Sequence, residues 1–320
     1  LTIPAGIASA RENAEPAGPL ATIRKGEIMA RDLYQEVTDK IIAKLETGVT
    51  PWIKPWNCAS PNGGMPYNII SGKTYRGINI PLLYCNEYAL TGWLTFKQAR
   101  DVGAHVKAGE HGSMIVFYKP FAVKDKNAKP DADGNTKERI IPLLRSFTVF
   151  NVDQVQGLPE KYLPKLDERT QIERQTQAEA LLSKAVVKHG GDRAFFTPSH
   201  DFIQLPVPES FIDAPSYYAT GLHELTHWTG HVSRLAREYG KRFGDQAYAR
   251  EELVAEMGAA YLCAHCGIAG KLQHAEYIQS WLTILKDDKR AVLVAASAAQ
   301  KAADHVTGWK VPEAQEEIAA

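Results

Sequence analysis

Hydrophobic positions along the chain change their spacing from segment to segment. Leu33, Val37, Ile41, Ile42 and Leu45 recur three or four apart and Gly48 follows, so the spacing predicts a helix with a glycine stop. Residues 49–92 are dense in proline, glycine and aromatics and read mostly as loops, with a helix over Ile80–Tyr88. Trp93–Val102 reads as a further helix with Thr95 as its N-cap. Ser113–Val123 and Ile140–Val152 read as antiparallel strands around a polar tip containing Asp133-Gly134. An extended linker follows over 154–165, which places a boundary near residue 160.

Beyond it the period lengthens again. Gln171–His189 reads as one helix ending at Gly190-Gly191, and Arg193–Pro206 as a two-strand meander. Helices are expected over about 215–231, 247–265 and 274–306, the last breaking near Asp287-Asp288. Residues 1–28 show no sustained period and read as a mobile tail. The pattern predicts an α+β protein: tail, a small α+β domain over 29–160, and a mainly helical domain with a short sheet over 161–320.

Composition narrows the classes. The chain of 320 residues is 44% hydrophobic and 23% charged, enough to bury a core. No apolar run approaches the roughly 18 residues of a membrane span, so a cytoplasmic protein with no membrane partner is expected. Four cysteines are too few for a disulfide scaffold, and Cys263 and Cys266 read as buried thiols. Net charge is zero, which argues against a cationic clamp over the whole chain. The zero hides an asymmetry: residues 1–150 hold 19 basic against 14 acidic groups, and the rest reverses that excess of five. A basic front half suits an anionic partner.

The sharpest chemical signal is His223-Glu224-Leu225-Thr226-His227 in a helical context. Residues four apart share a helix face, so His223 and His227 can reach one ion, with zinc the expected one and another divalent ion such as manganese the alternative. Glu224 stands where it can take a proton from water and pass it to a leaving amine. The next helix carries Glu252 and Glu256, again four apart, beside an apolar stripe of Leu253, Met257 and Ala260. Such acids are either a solvated face or are compensated by an ion. Read the second way, Glu252 is the third ligand and Glu256 accepts an N–H from a ligand imidazole, a pattern similar to the gluzincin zinc peptidases. Glu251 reads as solvated. His231 reads as an exposed helix-end residue, Tyr217 and Tyr218 as core, and Asp201–Leu205 as an edge strand able to pair with an extended peptide.

In the front half the signal is aromatic and basic residues interleaved. Lys73, Tyr75 and Arg76 share one glycine-bounded loop, with Trp52, Lys54 and Lys97 in support. Aromatic faces stack on unpaired bases and cations follow phosphates, so single-stranded DNA is the expected partner, against the alternative that the aromatics build a core.

Several longer strings resemble the ArdC-type plasmid antirestriction family: TPWIKPW, YNIISGKTYRGIN, WLTFKQA, VKAGEHGSMIVFYK and FTVFNVDQVQGLP in front, HELTHWTGH, EELVAEMGAAYL and a long stretch from Tyr277 to Val306 behind. The resemblance covers about residues 30–310. It implies an N-terminal single-stranded-DNA-binding domain shared with TraC primases, a C-terminal zincin-like metallopeptidase domain, and protection of incoming plasmid DNA from restriction during conjugation. A protein substrate or a restriction enzyme is a further implied partner. Two other readings stay open: a DNA-occluding protein with a structural zinc, and a plain metallopeptidase.

Overall fold

In the computed structural model, residues 31–53, 64–124, 138–163, 170–238, 246–269 and 275–310 are described. The tail 1–28, Lys54 and the hairpin tip lie outside them. Helix α1 (Leu33–Glu46) buries Val37, Ile41 and Leu45 on one stripe and ends before Gly48, whose φ of +78° needs no side chain. Then come β1 (Tyr67–Asn68), α2 (Asn79–Tyr84), β2 (Gly92–Leu94), α3 (Phe96–Asp101) and β3 (His105–Val106). Thr95 caps α3 as expected: its hydroxyl accepts from Gln98 N at 3.1 Å while Gln98 reaches back to Thr95 N. The helix nonetheless starts later than expected, because Trp93 pairs in β2.

The long hairpin of β4 (Ser113–Lys124) and β5 (Glu138–Asn151) is antiparallel from Ser113↔Val149 outward. With β1 and β2 it forms a four-stranded sheet ordered β1-β2-β5-β4. The supposed linker contains β6 (Val155–Gln156), which pairs with β3 and buries Val155. The helix expected over 171–189 also stops short. Helix α4 (Gln171–Leu182) gives way to β7 (Val186–His189), which runs parallel to β9 (Phe202–Leu205), while β8 (Phe195–Thr197) lies antiparallel on the other side of β9. Residues 202–205 are therefore central, and the edge-strand expectation for them is corrected: both ladder sides of β9 are taken. The remaining chain is α5 (Ala214–Thr229), α6 (Gln246–Cys266), α7 (Ala275–Asp287) and α8 (Ala291–Thr307). The break near 287 is real. No helix among the described residues is long and apolar enough to cross a membrane.

One core runs through both halves. Val37, Ile41, Trp52, Ile80 and Val116 pack in the same cluster as Leu182, Leu222, Leu253 and Trp281. Helix α6 is buried nearly all round, from Ala249 to Cys263, with the thiols of Cys263 and Cys266 inside. A helix with no solvated face is the centre of a domain, and three of its buried positions are glutamates.

Candidate metal centre and nucleic-acid interface

Helix α5 begins at Asp213, whose carboxylate accepts from Ser216 N at 2.8 Å, with Pro215 in the first turn. Leu222 and Leu225 on it are fully buried, and Thr226 is turned to α6. The two helices approach closely at Gly258: a Cβ there would sit 2.4 Å from Thr226 Cγ2 and 2.8 Å from its hydroxyl. That contact lies between the two histidines of α5 and beside the glutamates of α6. Gly258→Ala is expected to lower stability by about 1–3 kcal/mol through overpacking. Adding Thr226→Ala should restore much of it, as urea denaturation of the single and double variants would show.

The approach brings His223, His227 and Glu252 together, with one donor atom from each all within 4.8 Å of one another. The two Nε2 atoms are 3.2 Å apart, and Glu252 oxygens lie 3.4 Å from His223 Nε2 and 3.5 Å from His227 Nε2. Each imidazole has a carboxylate behind it. Glu251 meets His227 Nδ1 at 3.1 Å, and Glu256 stands 3.7 Å from His223 Nδ1. A hydrogen on His227 Nδ1 donated to Glu251 leaves the Nε2 lone pair facing the other donors.

Glu251 corrects the sequence reading. It is 5% exposed, and the Arg237 guanidinium grips it with contacts of 3.0 and 2.8 Å. Arg237 also donates to Thr226 O at 2.6 Å and Thr229 Oγ1 at 2.7 Å, so it ties the end of α5 to α6. Neither Glu251 as a partner of His227 nor Arg237 was singled out from the sequence. Only the chain's return after α5, closed by Leu235 N to Thr229 O and Arg237 N to Gly230 O, brings them there.

The electrostatics of the cluster call for positive charge. Burial is the largest influence on His227 and favours its neutral form, but hydrogen bonds and charge from Glu251 and Glu252 outweigh it and raise the ring to about 10. Burial likewise pushes Glu251 and Glu252 up, and their histidine partners, with Arg237 for Glu251, overcome it and hold both carboxyls below the usual range. Two imidazoles and a carboxylate brought within 4.8 Å, with Glu251 hydrogen-bonded behind one ring and Glu256 3.7 Å behind the other, fit a divalent metal ion. Glu224 is 7% exposed, and its carboxylate has no hydrogen-bond or ion-pair partner among the described residues.

The weaker candidates separate. His231 turns to Ser233 at 2.8 Å and meets Phe196 edge-on, outside the metal cluster. Tyr217 is buried and its hydroxyl lies 3.0 Å from His189 Nε2, while Tyr218 packs against it.

The proposed DNA residues do not form one surface. Trp52 is 0% exposed and sits edge-on to Trp281 at 5.4 Å. Tyr75 is 8% exposed, packed with Leu83, Trp93, Ile115 and Val149. Stacking of bases on these two rings is therefore corrected to a core role: the apolar area they bury outweighs leaving it in water. Arg76 pairs with Asp304 and lies 3.5 Å over the Trp309 ring. Its loop is fixed further by Gly77 N to Gln300 Oε1 at 2.8 Å and by Tyr261 OH to Gly77 O at 3.1 Å. Lys73 is half-buried and Lys97 exposed. The large aromatic open to solvent nearby is Phe96, 57% exposed, beside Lys97 and Arg100.

Comparison with known proteins matches both halves. A model for the N-terminal domain of the anti-restriction factor ArdC covers residues 31–150, and one for a zincin-like metallopeptidase covers 176–298. The chain is 38% identical over 318 residues to the DNA primase TraC of Escherichia coli, covering 95% of this chain and 21% of that protein. A second TraC primase is matched over 28% of its length, so the chain spans about a quarter of these relatives. Protein y4eC of Sinorhizobium fredii (strain NBRC 101917 / NGR234) is 38% identical over 85% of this chain and 91% of its own. Crystal structures of antirestriction ArdC from plasmid R388 superpose with TM-scores of 0.71 (metal-free, 41% identity) and 0.70 (Mn(II)-bound, 39% identity). They cover 87% of this chain, and 97% and 98% of theirs. Agreement in both halves and along nearly the whole length of these structures places the chain in the ArdC-type antirestriction family.

Proposed function

We propose that this chain is an antirestriction protein that binds single-stranded DNA with its front half, protects incoming plasmid DNA, and carries a zinc peptidase centre behind. The observation that carries the peptidase reading is the convergence of His223, His227 and Glu252 within 4.8 Å, with Glu224 next to His223 on the same helix and without a hydrogen-bond or ion-pair partner among the described residues. Zinc suits this donor set, and the Mn(II)-bound relative makes manganese the competing ion. When bound, the ion supplies Lewis acidity at the point where the three donors meet. The chain's own residues do the rest. Glu224 accepts a proton from the attacking water and returns it to the leaving amine. Glu251, held by Arg237, fixes the tautomer and aim of His227. The free edge for an extended peptide falls to β8, whose Phe196 lies against His231 just past α5.

For DNA, the basic excess of residues 1–150 supports the front half. Exposed Phe96 with Lys97 and Arg100 replaces Tyr75 and Trp52 as the stacking surface, with Lys73 in reach of phosphates. The test uses wild type and Glu224→Gln, each assayed for protein cleavage with and without single-stranded DNA, and for affinity to single and double strands over a salt series. Glu224→Gln should keep its metal and its DNA affinity while cleavage falls by about 10²–10⁴-fold. A wild type that cleaves nothing under any DNA condition removes the peptidase and leaves a structural ion. Equal affinity for duplex and single strand removes the stacking surface.

A further inference from the structure

Behind His227 stands Glu251 and behind His223 stands Glu256, while the Glu252 carboxylate meets both imidazoles. One turn earlier on α6, Tyr248 stands four residues before Glu252 and so shares its face. Its hydroxyl lies beside the Glu252 carboxylate and 3.3 Å from the hydroxyl of Tyr277 on α7. Tyr277 in turn stacks on Trp281 at 6.0 Å and 22°, and Trp281 is fully buried against Trp52. The ring that carries the outer hydroxyl is thus set by the core.

We propose that Tyr248 is the positioning residue of Glu252, with Tyr277 as its support. An ionised carboxylate only accepts and a phenol has one hydrogen, which fixes the direction. Tyr277 donates to the Tyr248 oxygen, and Tyr248 donates to Glu252. Each bond in such a chain polarises the next, so the inner one is strengthened by the outer. One Glu252 oxygen is engaged by the phenol, which turns the other toward the two imidazoles and keeps the carboxylate from rotating away. The inference rests on reading Glu252 as a metal ligand. It adds a tyrosine pair on α6 and α7 to the machinery of the site.

The experiment measures metal affinity of the full chain by chelator competition with Zn2+ and Mn2+, together with the visible spectrum of the Co2+-loaded protein. Tyr248→Phe should weaken binding by about 10–100-fold, the range found when a partner of a metal ligand is removed. Its Co2+ spectrum should shift, a change that a merely structural tyrosine would not cause. Tyr277→Phe should weaken binding less, and the double variant should be no worse than Tyr248→Phe, because Tyr277 acts only through Tyr248. Wild-type affinity and spectrum in Tyr248→Phe would overturn the proposal while leaving the metal centre standing. Losses from the two variants that simply add would overturn the relay. If Tyr248→Phe fails to fold, a Tyr277→Phe that binds as wild type does the same. A wild type that takes up no divalent ion overturns the metal reading and this proposal with it.

Discussion

Replacing His227 by alanine is expected to abolish metal uptake and to remove the ion-dependent part of the protein's thermal stability. The substitution deletes one of three donors that meet within 4.8 Å. It leaves Glu251 still paired with Arg237, so the surroundings do not lose their charge balance wholesale. An ion that binds only the folded chain stabilises it by mass action, about 2.7 kcal/mol when free ion exceeds Kd by about a hundredfold. Wild type should therefore melt at a higher temperature with Zn2+ or Mn2+ than with chelator present. His227→Ala should melt at the same temperature in both. A variant that kept the ion-dependent rise would show that the ion sits elsewhere.

Trp52→Ala is expected to cost about 3–5 kcal/mol of stability, the usual loss when a large aromatic leaves a core. The ring is fully buried and edge-on to Trp281, in the cluster shared by both halves. Single-strand affinity of the folded variant should be unchanged. A tryptophan that instead stacked on a base would behave oppositely: losing it would cost binding about 1–3 kcal/mol and stability little. Urea denaturation beside a binding titration decides between them. Weakened binding with wild-type stability would return Trp52 to the DNA surface.

The same contrast runs through what was legible in the sequence. The His223–His227 spacing and the Glu252 and Glu256 pair are local periodicities on single helices; the structure brings His223, His227 and Glu252 within 4.8 Å and leaves Glu256 3.7 Å behind His223. The cap at Thr95 and the β4–β5 hairpin are likewise short-range patterns, written in neighbouring residues. Positions whose structure depends on distant chain carry no such local signal. Val186 and Val187 continue a helical pattern, yet pairing with Phe202 and Ile203 draws them into a strand. Glu251 looks like a solvated residue beside Glu252 until Arg237 returns to it from the loop after α5. Tyr75 and Arg76 looked like a DNA loop because their types suit one. The loop instead docks on α6 and α8 through Gly77, Tyr261 and Gln300. Tyr248 stands four residues before Glu252, the same spacing as that of the two histidines.

The most direct test of the centre is elemental analysis of the purified full chain after dialysis, for wild type, Glu252→Gln and Glu224→Gln. With His223, His227 and Glu252 as the ligands, wild type and Glu224→Gln carry a stoichiometric divalent ion and Glu252→Gln carries none. A Glu252→Gln protein that kept its ion in full would contradict the account.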